Sequence, residues 1–338
     1  MSENFSCYLV RKNDDGQVRA AVERIGLGDL PSGEVTIRVT YSSLNYKDAL
    51  AATGHPGVVR SFPHVPGVDA AGVVELSDPS SDSDQFTPGD KVLITGCQLG
   101  AARWGGYAAY VRMPAESVVP LPDGLSLRES MIYGTAGFTA AQSVQAILDH
   151  EIDTSRGPVV VTGASGGVGC MAVALLAKLG YEVVAVSGKE SAHDLLRELG
   201  AVEILPRDKV VDKSDGPLLG SRWSAAVDTV GGATLATLIR STMHRGCVTA
   251  CGLVGGHELP LTVYPFILRG VTLVGIDSEK CPMPERLAIW SRLAGEWKLD
   301  RLESMVSSTV NLTGLDKPIE AILAGRICGR TLVEPTVD

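Results

Sequence analysis

No two cysteines in this sequence are spaced as Cys-x-x-Cys. Seven are present: Cys7, Cys97, Cys170, Cys247, Cys251, Cys281 and Cys328. An odd count without that spacing argues against a disulfide framework and against a thiolate zinc knuckle. Free thiols in a reducing compartment are the simplest reading. No run of about 18 apolar residues occurs, so no transmembrane helix is expected. The opening residues (MSENFSCYLV) carry Glu3 early and lack the basic-then-apolar pattern of a secretory signal, which makes the cytosol the expected location. Basic residues are outnumbered, 30 Lys and Arg against 39 Asp and Glu, for a net charge of −9. An acidic surface repels phosphate backbones, so nucleic acid is not an expected partner, although a local basic pocket for a phosphorylated cofactor is compatible with it. Aromatics are few at 5%, whereas glycine is abundant at 38. Many glycines suit a chain with numerous tight turns and strand-to-helix loops.

At 338 residues the chain is too long for one compact core and suits about two domains. The first third is β-rich. Residues 34–41 (EVTIRVTY) alternate polar with apolar side chains, as a half-buried strand does. Residues 72–76 and 91–95 are similar and are separated by the turn Thr87-Pro88-Gly89-Asp90. Residues 107–111 and 117–119 continue the series, and short strands with Gly/Pro turns suggest a barrel or sandwich. Residues 78–84 (DPSSDSD) are expected to be a solvated polar loop. From residue 128 to 146 the period is helical, broken at Gly134 and Gly137. Strands are then expected at 159–162, 182–186, 203–205, 225–229, 247–250 and 272–276, with helices between most of them. Repeated β-then-α units imply an α/β fold with a parallel, doubly wound sheet. The tail returns to short strands around a helix at 316–324, and residues 329–333 are expected to close the first domain.

The segment Val159-Val160-Val161-Thr162-Gly163-Ala164-Ser165-Gly166-Gly167-Val168-Gly169 is strand, glycine loop and helix start in one run. Missing side chains let the backbone approach a pyrophosphate, and the helix N-terminus supplies free N–H groups and a favourable dipole. The loop lacks the Gly-Lys-Ser/Thr ending of a nucleotide-hydrolysing P-loop. Ser165 lacks the Gly-x-Ser-x-Gly surround of a hydrolase nucleophile. An NAD site places Asp or Glu at the end of the second strand. Here Val186 is followed by Ser187-Gly188-Lys189. Ser187 can donate to a 2′-phosphate and Lys189 can neutralise it, which favours NADPH. The alternative is a solvated Lys189 with Glu190 on the ribose.

Tyr41–Gly54 (YSSLNYKDALAATG) and residues 63–72 (PHVPGVDAAG) resemble medium-chain dehydrogenases/reductases of the quinone oxidoreductase branch. Residues 227–232 (VDTVGG), 250–253 (ACGL), 265–271 (PFILRGV) and 275–278 (GIDS) resemble the acrylyl-CoA reductase (YhdH-type) subgroup. The resemblance spans almost the whole chain. It implies a GroES-like β-barrel catalytic domain at residues 1–125, rejoined by 300–338, and a Rossmann cofactor domain at 126–299. It also implies a homodimer. Tyr46, Leu253, Ile267 and Ser278 would lie by the nicotinamide. Ser165, Gly166, Gly167 and Val168 would hold the pyrophosphate, and Ser187, Gly188 and Lys189 the 2′-phosphate. One position departs from the subgroup. Leu199-Gly200-Ala201 is followed by Val202-Glu203, where the subgroup can place an arginine. The 2′-phosphate is then held less firmly, or by Arg207 or His193.

Zinc enzymes of this family use a Cys early in the barrel and a Gly-His-Glu element soon after. This chain has Asn45-Tyr46-Lys47-Asp48 and Gly67-Val68-Asp69 there, and neither supplies a soft or imidazole ligand. His55, His64, His193, His244 and His257 are scattered. No metal is expected. Without a Lewis acid, hydride addition to an activated C=C is easier to support than alcohol oxidation. Charge then develops on an acceptor oxygen and the α-carbon takes a proton. Tyr46 is the candidate donor, since a phenol with a pKa of about 10 is protonated at neutral pH. Asn45 and Asp48 are candidate catalytic neighbours. In the blander reading Tyr46 only packs on the nicotinamide, and Asn45 and Asp48 only shape the loop. Asp228 reads as structural. Arg60, Arg103 and Arg330 are candidates for CoA phosphates. Three functions are compatible with these residues: an acrylyl-CoA reductase, a quinone or enone reductase, and a non-catalytic NADPH-binding protein.

Overall fold

The computed structural model describes residues 4–78 and 85–336. Residues 79–84 of the expected polar loop and the first three residues lie outside the described residues. The chain forms two compact units. One comprises Met1–Thr135, Glu279–Gly295 and Val306–Asp338, and the other Ala136–Ser278 and Glu296–Met305.

The first unit begins with an antiparallel hairpin of β1 (Asn4–Lys12) and β2 (Val18–Gly26). The sequence reading has no strand before residue 34. In β1 the buried positions run consecutively from Cys7 to Val10, so a period of two is lost there. Next come β3 (Val35–Ser43), the short helix α1 (Tyr46–Ala52), β4 (Asp69–Ser77), β5 (Lys91–Thr95), β6 (Tyr110–Met113) and β7 (Val119–Pro120). Strand β4 sits between β3 and β5, antiparallel to both. Alternation in β3 puts Val35, Ile37 and Val39 into one cluster with Val74, Val92, Ile94, Val111 and Met113. Each fully buried aliphatic side chain of this kind contributes about 1.5–3 kcal/mol.

Helix α2 (Leu127–Asp149) is interrupted at Gly134, whose φ is 50° and ψ −158°. The sequence reading puts breaks at Gly134 and Gly137, and only Gly134 leaves helical geometry. A Cβ there would lie 2.5 Å from the Asp69 carboxylate and 2.7 Å from the Ser43 hydroxyl.

The second unit is a six-stranded sheet, all parallel. Its elements are β8 (Val159–Val161), α3 (Gly167–Lys178), β9 (Val183–Val186), α4 (His193–Glu198), β10 (Ala201–Leu205), β11 (Trp223–Asp228), α5 (Gly232–Ser241), β12 (Thr242–Ala250), α6 (Tyr264–Arg269) and β13 (Thr272–Gly275). The strand order is β10-β9-β8-β11-β12-β13. Chain order therefore reverses beside β8, which makes the C-terminal end of β8 a switch point where ligands bind in such sheets. The three valines of β8 are fully buried, as a strand covered on both faces requires. This is the doubly wound Rossmann arrangement.

The chain then supplies α7 (Met283–Ala294), β14 (Val306–Asn311), α8 (Asp316–Leu323) and β15 (Arg330–Glu334), all in the first unit. The sequence reading runs the cofactor domain to residue 299. Helix α7 instead packs within the first unit. Trp290 stands edge-on to Tyr133 with ring centroids 6.5 Å apart, and the buried Arg286 donates to the Thr95 carbonyl at 2.6 Å. Strand β15 pairs with β3 and β14, completing the sheet order β14-β15-β3-β4-β5-β7 with β6 on β3. Together these strands form the GroES-like domain. Replacing Gly134 by Ala forces a side chain into left-handed backbone against Asp69. The expected loss is about 2–3 kcal/mol of unfolding free energy in a urea titration.

Candidate active site and cofactor site

Hydrogen bonds tie the glycine loop into the second unit. The Ala164 N–H donates to the Val186 carbonyl at 3.1 Å, and the Gly166 N–H to that of Gly163 at 2.9 Å. Gly166 is the N-cap of α3 with no side-chain cap, so the first N–H groups of the helix are open to an anion. A Cβ at Gly169 would collide with the Gly163 carbonyl oxygen and sit 2.6 Å from Ala164 Cα. Only glycine lets α3 approach its own loop this closely. Ser165 is buried, and Gly167 and Val168 open the helix. These features fit a dinucleotide pyrophosphate.

The Ser187 N–H donates to the Leu205 carbonyl at 3.0 Å, continuing the β9–β10 pairing past Val186. Ser187 Oγ accepts from the Lys189 N–H at 3.1 Å, which curls Ser187-Gly188-Lys189 around the strand end. Leu253 follows β12, and Ser278 follows β13. The Ile276 N–H donates to the Ala250 carbonyl at 3.0 Å, so both segments leave the same edge of the sheet. Leu253 and Ile267 are exposed at 66% and 69%, an unusual state for aliphatic side chains and suited to covering a ligand. Asp228 is fully buried, accepting from Thr162 Oγ1 and from the Gly231 N–H, both at 2.6 Å. It ties β11 to the end of β8. Burial pushes its carboxyl above the usual carboxylate range, against the pull of its hydrogen bonds.

In the first unit Asn45 is the N-cap of α1 and Tyr46 its first residue, 41% exposed. Asp48 sits three residues after the cap and accepts from the Asn45 N–H at 2.8 Å, the reciprocal half of a capping box. Its other oxygen accepts from the N–H groups of Gly67 at 3.2 Å and Val68 at 2.8 Å. Asp48 is fully buried, and desolvation, then the charge of Asp69, push its carboxyl up to about 7, against those bonds.

Beneath the Asn45 cap lies a closed polar cluster. Asp69 accepts from Ser43 Oγ at 2.5 Å, Asn45 Nδ2 at 2.7 Å, the Thr135 N–H at 2.9 Å and Thr135 Oγ1 at 2.6 Å. The Arg330 guanidinium stands 3.7 Å from the same carboxylate. Its other donors reach the Ile132 carbonyl at 2.9 Å, the Leu44 carbonyl at 3.3 Å, Asn45 Oδ1 at 3.2 Å and Ser43 Oγ at 2.6 Å. The Asn45 amide is thus engaged at both ends. Arg330 is 2% exposed, which removes it from the CoA-phosphate candidates. Arg103 donates to the Ser32 carbonyl at 2.6 Å, and Arg60 is exposed. His64 is buried with Nε2 3.0 Å from the Gly100 carbonyl oxygen, and burial lowers its pKa.

Residues 31–123 match the alcohol dehydrogenase GroES-like domain model, and residues 167–289 the zinc-binding dehydrogenase model. The chain is 46% identical over 333 residues to the acrylyl-CoA reductase of Ruegeria pomeroyi, covering 98% of this chain and 99% of that one. The chain belongs to the medium-chain dehydrogenase/reductase superfamily, in its YhdH-type acrylyl-CoA reductase subgroup. Among solved structures, the yhdH oxidoreductase of Salmonella enterica in complex with NADP superposes with a TM-score of 0.92 at 46% identity, covering 97% of this chain and 99% of that one. The yhfP protein of Bacillus subtilis with NAD bound gives 0.94 at 44% identity, with 98% and 100% covered.

The stretches 45–48 and 67–69, where the resemblance expects ligands of the zinc enzymes, hold no Cys or His side chain. They do not fit zinc. Val68 has no donor atom, the Asn45 oxygen is held by Arg330, and the Asp69 carboxylate is shared with a guanidinium that would repel a dication. Among the described residues no group of three His, Cys, Asp or Glu side chains converges as a metal set. Sequence reasoning passed over Ser43 and Thr135, and it named Asp69 only within Gly67-Val68-Asp69 as no zinc ligand. The one local signal was Asp69 standing where the zinc enzymes have Glu. Replacing Arg330 by Met leaves Asp69 buried without its counter-charge, with an expected loss of about 3–5 kcal/mol. Adding Asp69→Asn should return at least half of that in urea unfolding.

Proposed function

We propose that this chain is a zinc-independent, NADPH-dependent reductase of activated C=C bonds, converting acrylyl-CoA to propionyl-CoA. One observation carries the reading. An intact dinucleotide loop is combined with a metal position filled by the Asp69–Arg330 cluster, in a chain 46% identical along its length to an acrylyl-CoA reductase. NADPH fits because the Gly166–Gly169 backbone leaves room for a pyrophosphate and Ser187-Gly188-Lys189 puts a cation ahead of the first carboxylate after β9, Glu190. When bound, NADPH supplies a hydride for the β-carbon of the thioester.

The chain's own residues do the rest. Ser165, Gly166, Gly167 and Val168 hold the pyrophosphate, Ser187, Gly188 and Lys189 the 2′-phosphate, and Leu253, Ile267 and Ser278 the nicotinamide side. Tyr46 gives its phenolic proton to the α-carbon as charge collapses from the thioester oxygen. Asn45 and Asp48 position Tyr46 by fixing the first turn of α1. The reading includes a cytosolic homodimer. Seven free cysteines suit a reducing compartment, and the exposed Val254, Val263 and Leu268 suit cover by a second copy. No described helix is long and apolar enough to cross a membrane.

Steady-state oxidation of NADPH with acrylyl-CoA, run beside a quinone and enone panel, is the test. Acrylyl-CoA is expected to give the highest kcat/KM. No turnover with it, with quinones reduced, would move the activity to the alternative acceptor class. NADPH binding with no acceptor reduced would make the chain a binding protein. Tyr46→Phe is expected to lower kcat at least ten-fold while NADPH affinity changes less than three-fold, and full turnover would remove Tyr46 as the proton donor.

A further inference from the structure

Leu199-Gly200-Ala201 is followed by Val202-Glu203, which puts a carboxylate and no cation in β10. The structure brings Arg207 to the C-terminal end of that strand. Strands β9 and β10 are parallel, with Val186 opposite Leu205. They stop together, so Ser187-Gly188-Lys189 and Pro206-Arg207 leave the same edge of the sheet side by side. Arg207 lies across Gly188. A Cβ built on Gly188 would be 3.0 Å from Arg207 Nε, 3.3 Å from Cδ and 3.4 Å from Cζ. The guanidinium therefore packs over Gly188, where a side chain would crowd it.

Arg207 is exposed. Among the described residues it forms no ion pair, although Glu190, Glu203 and Asp208 are close in the chain or on the adjoining strand. Its charge is thus available to a ligand. The end of the second strand of a doubly wound sheet is where the adenosine ribose 2′ position falls. A planar guanidinium matches a phosphate through two parallel N–H bonds, which a lysine ammonium cannot do.

We propose that Arg207 is the principal 2′-phosphate-binding residue of this chain and sets its preference for the phosphorylated dinucleotide, with Ser187 and Lys189 completing the pocket. The assignment rests on the NADPH reading above and adds the residue that decides it. Glycine at 188 belongs to the same device, because a Cβ there would press on the guanidinium at 3.0–3.4 Å.

The test uses the full-length protein and calorimetric Kd values for NADPH, NADH, 2′,5′-ADP and 5′-AMP, in wild type, Arg207→Ala and Lys189→Ala. Wild type is expected to bind NADPH at least ten-fold tighter than NADH. Arg207→Ala is expected to weaken NADPH and 2′,5′-ADP at least ten-fold while NADH and 5′-AMP stay within two-fold. Lys189→Ala is expected to do less. Equal losses for both dinucleotides, an unchanged NADPH preference in Arg207→Ala, or a larger effect at Lys189 would overturn the assignment and leave the NADPH reading standing. A wild type with no preference for NADPH would overturn both.

Discussion

Burying the Arg330 guanidinium beside the Asp69 carboxylate commits four segments of the first unit to one arrangement. Arg330 comes from the last strand, Asp69 from the start of β4, Ser43 and Asn45 from the end of β3 and its turn into α1, and Thr135 from just beyond the break in α2. Taking two such charges out of water costs several kcal/mol each, and the cost is met only when nearly every lone pair and proton is used. Here they are used. Asp69 receives four hydrogen bonds, and Arg330 donates to Ile132, Leu44, Asn45 and Ser43. The cluster explains why the tail must return to β3 and why α2 breaks at Gly134.

That constraint shapes the chemistry. The capping box of Asn45 and Asp48 starts α1 directly above the cluster, so Tyr46 is presented by a turn whose cap is fixed from below. In the proposed role of Tyr46 as proton donor such rigidity is an advantage, because small misplacements cost large factors in rate. The second unit builds its site by other means. There the backbone does most of the work, through the glycine loop, the open start of α3 and the paired ends of β9 and β10.

Much of the second unit was legible because its signals are local. The β8 valines, the glycines and the start of α3 follow one another without a gap, and the strands at 225–229 and 247–250 show as apolar runs. Segment 91–95 was legible in the same way and forms β5. The hairpin β1–β2 was not, since four consecutive buried residues hide the alternation. The Asp69 cluster was hidden for another reason. Its members are separated by up to 287 positions, as in the bond from Arg330 to Ser43, and each alone resembles an ordinary polar residue. Arg330 shows this well. On the page it is one more cation that could meet a phosphate, and in the fold it is almost fully buried. Helix α7 was misplaced for a similar reason, because its attachment depends on Trp290 and Arg286 reaching residues 133 and 95.

With the Asp69–Arg330 cluster in place of a catalytic metal, turnover should not depend on zinc. The measurement is acrylyl-CoA-dependent NADPH oxidation on protein exhaustively dialysed against a zinc chelator, with metal content determined by elemental analysis. The account expects an undiminished rate with under about 0.1 zinc per chain. A rate that falls with the zinc content and returns when zinc is restored would contradict it.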